Sequence, residues 1–251
     1  MSTAQQPWYK TAFESEYLEL YSHRDEEEAQ LLHDLVSSHV QLKTGGMILD
    51  LCCGAGRHSE VFCSKGHRVV GLDLSRALLT QAKTRVCNQM RFLRGDMRHL
   101  PFQSGEFAGI LHLFTAFGYF QQDEENFHVF SEVHRILQPQ GWYLFDYLNA
   151  PKVRSMNTFE GRTTVENLPG IGRVETTKRL VLEGKRIRKD IRFLDAPTPK
   201  EYHEDVALYD PERLEGHLSR SGLRVEHVFG DYAGSDFHSN SSRWMALCRK
   251  A

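Results

Sequence analysis

Three aspartates stand at regular intervals in the first hundred residues, and each follows an apolar segment. Asp50 follows Met47-Ile48-Leu49, Asp73 comes 23 residues later, and Asp96 comes after another 23 residues. A carboxylate accepts hydrogen bonds from hydroxyl and amino groups. An interval of roughly 20 residues separates the first strand of a nucleotide-binding sheet from its ribose-binding acid. The spacing therefore predicts a site for a ribose-containing ligand.

A short glycine turn follows the first of these acids. Gly54-Ala55-Gly56 comes after Asp50-Leu51-Cys52-Cys53, and residues 57–64 have the pattern of a helix. Glycine adopts positive φ readily and lets a ligand approach the backbone. The N-terminus of the next helix offers N–H groups to an anion. We interpret the segment as the strand–loop–helix ligand cradle of a doubly wound α/β sheet.

The rest of the chain supplies the elements that would position this cradle. Residues 45–150 alternate strands and helices, which predicts a parallel sheet. A strand period begins after Ala150, with a hairpin predicted over residues 172–194 and two closing strands at 223–229 and 243–248. We predict an α/β fold with a doubly wound, mostly parallel, seven-stranded sheet and an antiparallel β insertion after the fifth strand.

This organisation is predicted to form one domain over residues 1–251. It divides into an N-terminal helical lid (1–44), a cofactor-binding core (45–150), the β insertion (151–209), and a closing helix and strands (210–251). The helix predicted after Ser75 has Leu78, Leu79, Ala82 and Val86 on one side.

Three motifs resemble those of class I S-adenosylmethionine (SAM)-dependent methyltransferases. They are Asp50-Leu51-Cys52-Cys53-Gly54-Ala55-Gly56, Gly71-Leu72-Asp73-Leu74-Ser75 and Gly95-Asp96-Met97. The resemblance covers roughly residues 45 to 150 and continues more thinly to the end of the chain. It departs at Cys52 and Gln140, where the family pattern usually has glycine. The resemblance implies a Rossmann-like methyltransferase fold and SAM as the cofactor.

The resemblance also assigns roles to individual residues. Asp50 is expected to contact the amino group of the donor, Asp73 the ribose hydroxyls, and Asp96 the adenine amino group. The full set expected to bind the cofactor is Tyr21, Asp50, Cys53, Gly54, Ala55, Gly56, Asp73, Leu74, Asp96, Met97 and Phe114. Structural alternatives remain open: Asp50 as a buried acid paired with a backbone amide, Asp96 as a cap of the next turn, and the wall residues as core.

Acceptor-side residues are expected beyond the fourth and fifth strands. Tyr119, Asp146, Tyr147 and Asn149 fall there. The segment 114–120 resembles its counterpart in bacterial N-methyltransferases that act on nucleotide-linked amino sugars. We expect Tyr119 and Tyr17 to position the acceptor.

An aromatic series precedes the sheet, with Phe13, Tyr17 and Tyr21 at four-residue spacing. This spacing places the rings on one helical face, which is either core packing or a lid over the cofactor. His112 lies within a predicted strand and is expected to be a hydrogen-bonded core histidine.

Methyl transfer from a sulfonium requires orientation of the acceptor more than a strong catalytic group. We therefore predict an enzyme that moves a methyl group to nitrogen or oxygen of a small molecule by in-line displacement. Three other classes of protein share part of this pattern. A nicotinamide-dependent dehydrogenase is disfavoured by Asp50 before the turn and by Ser59 in place of a third glycine. A SAM-binding sensor would lack a productive acceptor pocket, and an RNA methyltransferase would need a basic face.

Composition limits the remaining classes. The chain has 251 residues and a net charge of -2, with no apolar run long enough for a membrane span. Five cysteines without Cys-x-x-Cys spacing predict buried, reduced thiols and a cytoplasmic setting. The N-terminus does not read as a signal peptide, and no metal is expected. We expect a small-molecule acceptor and no membrane or nucleic-acid partner; a homodimer is left open.

One region has a marked local charge. Between Arg173 and Arg192 eight basic residues stand against three acidic ones, a net charge of +5. A charge run of this kind is either a solvated face or a surface that attracts an anionic acceptor or RNA.

Overall fold

The computed structural model describes residues 6–13, 15–21, 26–42, 45–85 and 87–251. Eleven strands are found in these ranges: β1 (Met47–Leu51), β2 (Arg68–Asp73), β3 (Met90–Arg94), β4 (Phe107–His112), β5 (Leu137–Leu148), β6 (Arg162–Leu168), β7 (Gly172–Val181), β8 (Arg186–Phe193), β9 (Lys200–Ala207), β10 (Leu223–Phe229) and β11 (Arg243–Lys250). The helices in the same ranges are a 3-10 helix (Trp8–Lys10), α1 (Ser15–Leu20), α2 (Glu26–His39), α3 (Arg57–Ser64), α4 (Arg76–Ala82), α5 (Asp123–Ile136), α6 (Ala150–Met156) and α7 (Pro211–Arg220).

The central sheet has seven strands in the order β3-β2-β1-β4-β5-β11-β10. Strands β1 to β5 are parallel, and β11 pairs antiparallel with both β5 and β10. Strand order reverses between β1 and β4, which is the switch point where such sheets bind ligands. The predicted doubly wound, mostly parallel, seven-stranded sheet is confirmed.

The apolar strand sequences are explained by their burial on both faces of this sheet. Leu49 and Leu51 of β1 and Ile110 and Leu111 of β4 have no exposed surface. Helices α5 and α7 contribute to the core on one face, and α2 and α3 to the core on the other. Covered parallel strands are expected to read as continuous apolar runs.

The predicted start of α4 is explained by a side-chain cap. The Ser75 hydroxyl accepts a hydrogen bond of 3.1 Å from the Leu78 amide and so caps α4. Leu78, Leu79 and Ala82 are buried as predicted, whereas Val86 lies outside the described residues.

The insertion forms a separate antiparallel sheet in the order β6-β7-β8-β9. The predicted hairpin is β7 and β8, and its turn uses positive φ at Glu183 and Gly184. Strand β6 was not anticipated, because its sequence is polar and it lies on an exposed edge. The sheet reaches the core through a hydrogen bond of 2.8 Å from the Ala207 amide to the Gly118 carbonyl.

The expectation that all five cysteines are reduced thiols is wrong. Cys63, at the end of α3, and Cys87, before β3, form a disulfide with their Cα atoms 6.4 Å apart. The other three cysteines are free. The pair is brought together by the fold, because 24 residues separate the two positions in the sequence.

Within the described part of the chain, no helix combines the length and the apolar character that a membrane crossing requires.

Candidate active site

A small cavity of about 90 Å³ lies at the carboxyl ends of β1, β2 and β3. Eight residues predicted to act in the site contribute to its wall: Tyr17, Gly54, Asp73, Leu74, Asp96, Met97, Phe114 and Tyr119. Adjacent parallel strands bring their carboxyl ends to one edge, which explains why distant motifs meet here. We call this space the donor cavity.

Both carboxylate oxygens of Asp73 accept a hydrogen bond from the backbone. Its Oδ2 atom accepts a hydrogen bond of 2.8 Å from the Gly54 amide, and its Oδ1 atom accepts one of 2.8 Å from the Ser75 amide. Burial raises the pKa of Asp73 against these hydrogen bonds. Each carboxylate oxygen retains a further lone pair, so the group is fixed in orientation and still able to accept two hydroxyl protons.

Asp50 lies behind the cavity wall rather than in it. The side chain is 2% exposed, and its Oδ2 atom accepts a hydrogen bond of 2.6 Å from the Ser59 hydroxyl. Burial raises the pKa of Asp50 to about 7, although the Ser59 hydroxyl opposes the shift. The surroundings are those of the buried-acid alternative, and contact with the amino group of the donor stays a prediction.

Asp96 both lines the cavity and caps the next turn. Its carboxylate accepts hydrogen bonds from the backbone and the guanidinium of Arg98 at 3.0 and 2.7 Å. Burial raises the pKa of Asp96, but these hydrogen bonds outweigh it and hold the pKa below its ordinary value. The two readings of this residue are compatible.

Three of the expected cofactor residues shape the turn without reaching the cavity wall. The Cys53 carbonyl accepts a hydrogen bond of 2.9 Å from the Gly56 amide, and the Ala55 carbonyl accepts one of 2.7 Å from Arg85. Gly56 has a φ of 76°, and a Cβ added there would lie 2.6 Å from the Phe92 ring. Glycine is therefore required at Gly56 by packing as well as by conformation.

Tyr21 lies away from the donor cavity. Its hydroxyl donates a hydrogen bond of 2.8 Å to Glu204 and accepts one of 2.6 Å from Lys189, both on the insertion sheet. Tyr21 is therefore not part of the wall of the donor cavity. It places the end of the N-terminal aromatic series against the insertion.

A second cavity, of about 570 Å³, opens between the edge of the central sheet and the insertion sheet. Its size is ordinary for a small-molecule site. It shares four wall residues with the donor cavity: Phe13, Tyr17, Phe114 and Tyr119. We call this space the acceptor cavity.

The turn after β4 forms the partition between the two cavities. Phe114 and Thr115 have φ values of 56° and 62°, a conformation that side chains other than glycine rarely adopt. The Phe114 amide donates a hydrogen bond of 2.8 Å to Asp146, and Arg243 donates one of 2.6 Å to the Thr115 hydroxyl. Arg243 also donates to Asp146 at 2.7 Å. These contacts hold the strained turn in place.

The residues expected on the acceptor side lie in different places in the structure. Asp146 has no exposed surface and anchors the partition, and the Tyr147 hydroxyl donates to the Ala207 carbonyl. Asn149 lines the acceptor cavity, and its amide donates hydrogen bonds of 2.9 Å to two backbone carbonyls. Arg243 was missed because it lies 97 residues from Asp146 in the sequence.

Tyr119 sits among aromatic rings from the N-terminal segment. Its ring centroid lies 4.8 Å from that of Trp8 and 5.9 Å from that of Phe13. Burial raises the pKa of Tyr119 well above its ordinary value, so the phenol is neutral. Trp8 and Tyr9 were not anticipated, although both precede the aromatic series that was.

His112 is a core residue, as expected. Its Nε2 atom lies 2.7 Å from the Ala116 carbonyl and its Nδ1 atom 2.8 Å from the Tyr143 hydroxyl. Burial lowers the pKa of His112 to about 4. The neutral imidazole therefore holds the end of the partition turn and does not supply a proton.

The residues present fit SAM, with one condition. A Cβ added at Gly54 would meet nothing closer than Leu78 at 3.8 Å, so this backbone faces open space. The donor cavity itself, at about 90 Å³, is smaller than ligand sites of roughly 300 Å³ or more. Tyr9 and Phe13 cover it, and the Phe13 carbonyl accepts a hydrogen bond of 2.6 Å from Ser75. With these residues in place, the donor cavity is smaller than a whole SAM molecule requires.

The described residues contain no group of three or more His, Cys, Asp or Glu side chains arranged to hold a metal ion.

Comparison with known proteins agrees with this geometry. Residues 48–141 match the family model described as a methyltransferase domain. A putative methyltransferase from Bacillus subtilis is 34% identical over 110 residues, which are 43% of this chain and 44% of that protein. A dTDP-3-amino-3,4,6-trideoxy-alpha-D-glucopyranose N,N-dimethyltransferase from Streptomyces venezuelae is 28% identical over 82% of this chain and 86% of its own length.

Solved structures share the fold over nearly the whole chain. A SAM-dependent methyltransferase from Clostridium acetobutylicum matches with a TM-score of 0.78 and 18% identity, over 93% of this chain and 95% of that one. A SAM-bound amino pentose methyltransferase from Micromonospora echinaspora matches with a TM-score of 0.67 and 21% identity, over 94% and 97%.

Residues 48–141 therefore match a methyltransferase domain, and the fold is the one found in SAM-dependent methyltransferases. The dehydrogenase, sensor and RNA-modifying alternatives receive no support from these matches. The chain spans less than half the length of the Bacillus relative and most of the Streptomyces one.

Proposed function

We propose that the protein transfers the methyl group of SAM to an amine nitrogen of a small molecule held in the acceptor cavity. The observation that carries the proposal is the shared aromatic wall: Phe13, Tyr17, Phe114 and Tyr119 line both cavities. A methyl group that leaves one cavity for the other must pass this wall.

The chemistry asks little of the protein beyond position. The lone pair of a neutral amine attacks the methyl carbon, the carbon–sulfur bond breaks, and its electron pair stays on sulfur as S-adenosylhomocysteine forms. The charge moves from sulfur to the new methylammonium. Ring faces attract a sulfonium cation, which supports a place for it beside Phe114 and Tyr119. Exclusion of water by the same rings favours an in-line approach.

The donor would be held by the aspartates at the carboxyl ends of the first three strands. In this proposal Asp73 accepts the ribose hydroxyl protons, Asp96 faces the adenine amino group, and Leu74 and Met97 pack against the adenosine. Tyr17 and Tyr119 orient the acceptor. Asp50 acts on the amino group of the donor only through movement or through water, because it lies behind the wall.

The class of acceptor is proposed from likeness and from size. The Streptomyces relative is named for an amino sugar and a neighbouring fold for an amino pentose, and the cavity of about 570 Å³ has room for a molecule of that kind. A cytoplasmic setting, where SAM is made, is part of the proposal, although the Cys63–Cys87 disulfide means that reduced thiols do not support it.

The test is formation of S-adenosylhomocysteine with matched acceptors. The purified protein is incubated with SAM and with amino sugars, their nucleotide-linked forms, and the corresponding hydroxy sugars. We expect product, identified by mass spectrometry as an N-methyl compound, only with the amines. Methylation of the hydroxy sugars alone would show that oxygen, not nitrogen, is the atom methylated. If the protein binds the donor but methylates neither class of sugar, the proposal is contradicted.

A further inference from the structure

A row of charged side chains crosses the face of the insertion sheet that lines the acceptor cavity. Strand pairing sets Arg162 opposite Lys178, Lys178 opposite Lys189, and Lys189 opposite Glu204. All four residues contribute to the cavity wall. We call them the charged row. Like charges directly opposite on neighbouring strands destabilise a sheet, so three consecutive cations need an explanation.

The explanation is not that the insertion lacks carboxylates. Eight basic residues lie between Arg173 and Arg192, and Lys178 and Lys189 are the two that line the cavity. The other six each have a carboxylate within ion-pair distance: Arg173, Arg179, Lys185, Arg186, Arg188 and Arg192. The sheet thus neutralises its basic residues elsewhere and leaves cations in the cavity.

Two members of the row carry charge without compensation from the described chain. Neither Arg162 nor Lys178 has a described carboxylate within ion-pair distance, and both are exposed to the cavity. The hydroxyl-bearing pair Thr164 and Thr176 lies two positions further along the same two strands and also lines the wall. Two cations beside two hydroxyl donors form a surface suited to the oxygens of a phosphate.

The far end of the row has the opposite charge. Glu204 accepts a hydrogen bond of 2.8 Å from the Tyr21 hydroxyl through Oε1, and that hydroxyl accepts one of 2.6 Å from Lys189. No described residue donates to the other carboxylate oxygen. Strand β9, which carries Glu204, also contacts the Tyr119 segment through the hydrogen bond of 2.8 Å from the Ala207 amide to Gly118. The acidic end therefore faces the side where methyl transfer is proposed.

We propose that the charged row orients the methyl acceptor, with a phosphate or diphosphate at Arg162 and Lys178 and the amine donating a hydrogen bond to Glu204. This inference rests on the proposed function. Neighbouring strands are about 4.8 Å apart, and two to three such steps separate the ends. The acceptor therefore carries its amine and its phosphate roughly 10 to 14 Å apart.

The phosphate end is tested with inorganic pyrophosphate as the probe. Calorimetry at low salt is performed on the wild-type protein, on Lys178→Gln, and on Arg162→Gln combined with Lys178→Gln. Lys185→Gln is the matched control, because it removes the same charge from the same hairpin at a side chain that is 76% exposed. We expect the double variant to bind about tenfold more weakly or worse, and the control to be unchanged.

The amine end is tested with ω-aminoalkyl phosphates of increasing length, each against the alkyl phosphate without the amine. In the wild-type protein the amine is expected to improve affinity most when nitrogen and phosphorus are roughly 10 to 14 Å apart. Glu204→Gln should abolish that improvement and leave pyrophosphate binding intact.

Several outcomes would overturn the inference. These are equal pyrophosphate affinity in wild-type protein and the double variant, an amine effect that survives Glu204→Gln, and binding of a single-stranded RNA that depends on the same cations. Binding of S-adenosylhomocysteine is measured on the same samples. If the wild-type protein does not bind S-adenosylhomocysteine, the proposed function is contradicted. If it binds S-adenosylhomocysteine but not pyrophosphate, only the role of the charged row is contradicted.

Discussion

The Ser59 hydroxyl donates a hydrogen bond of 2.6 Å to the buried carboxyl of Asp50. This contact joins α3 to β1 directly beneath the glycine turn. A dinucleotide-binding sheet usually has glycine where Ser59 stands, so that helix and strand can pack closely. Here the serine fills the space and supplies a partner for an acid whose pKa burial raises to about 7.

Asp50→Asn should change the pH dependence of stability. The folded protein keeps the Asp50 proton up to pH about 7, whereas the unfolded chain releases it near pH 3.9. Between these values the folded state binds more protons, so this contribution to stability is complete at low pH and is lost as pH rises through about 7. Relative to wild type, the variant should gain roughly 1 to 4 kcal/mol between pH 5 and 8 in urea unfolding.

Wild type and Asp50→Asn both retain His112, whose contribution to the free energy of unfolding changes with pH in the opposite direction. Comparing the two proteins at each pH removes that contribution. Ser59→Ala provides a second check. Loss of the hydroxyl that opposes the shift should raise the pKa of Asp50 further and extend the decline to higher pH. Parallel stability curves for wild type and Asp50→Asn would show that Asp50 is already ionised in the folded protein.

Cys52 offers a test of backbone strain at the cradle. Its φ is 61°, in the region where a side chain costs roughly 1 kcal/mol relative to glycine. Cys52→Gly should therefore be more stable than Cys52→Ala by about 1 kcal/mol, since both remove the thiol and only one relieves the backbone. Urea unfolding of the pair measures this, and a more stable alanine variant would contradict it.

Substitutions in the shared aromatic wall should affect donor binding and turnover to different extents. Tyr119→Phe keeps the ring and should alter donor affinity little, whereas Tyr17→Ala opens both cavities and should weaken donor binding about tenfold, or 1.4 kcal/mol. Turnover should fall further than affinity in Tyr17→Ala, because orientation acts on the transition state. Calorimetry, turnover and melting temperature are compared on the same samples. Lower melting temperature with normal turnover per folded molecule would make Tyr17 a core residue.

Arg243 should be needed to hold the partition turn. Arg243→Gln leaves Asp146 buried without its ionic partner, which typically costs roughly 3 to 5 kcal/mol. Arg243→Lys keeps the charge but cannot donate both to Asp146 and to Thr115, so it should recover part of the stability and little of the turnover. Denaturant unfolding and a methyl-transfer assay measure the two effects. Full turnover in a folded Arg243→Lys would remove Arg243 from this role.

The donor side could be predicted from the sequence because its residues are local to three motifs. Each motif joins a strand end to its turn, and adjacent parallel strands place these ends together. The fold class alone therefore predicts that Gly54, Asp73 and Asp96 lie in one site. Asp50 shows the limit of that reasoning. Its position in the motif is as predicted, but packing against Ser59 turns its carboxyl away from the cavity wall.

The acceptor side depends on contacts that no motif encodes. Asp146 meets Arg243 across 97 residues, and the charged row exists only because the register of four strands aligns its members. The local charge of the hairpin was visible in the sequence, but not which cations are neutralised. The Cys63–Cys87 disulfide was missed for the same reason, since its spacing has no local signature.

The donor site is the centre of this account, and calorimetry with S-adenosylhomocysteine tests it most directly. Wild-type protein should bind one equivalent. Asp73→Ala should lose roughly 2 to 3 kcal/mol of binding free energy, since two hydrogen bonds to an ionised acceptor disappear. Asp73→Asn keeps one oxygen acceptor, so its affinity for S-adenosylhomocysteine should lie between those of the wild type and Asp73→Ala. Equal affinity in a folded Asp73→Ala, or binding of NAD in place of S-adenosylhomocysteine, would contradict the assignment of this cavity.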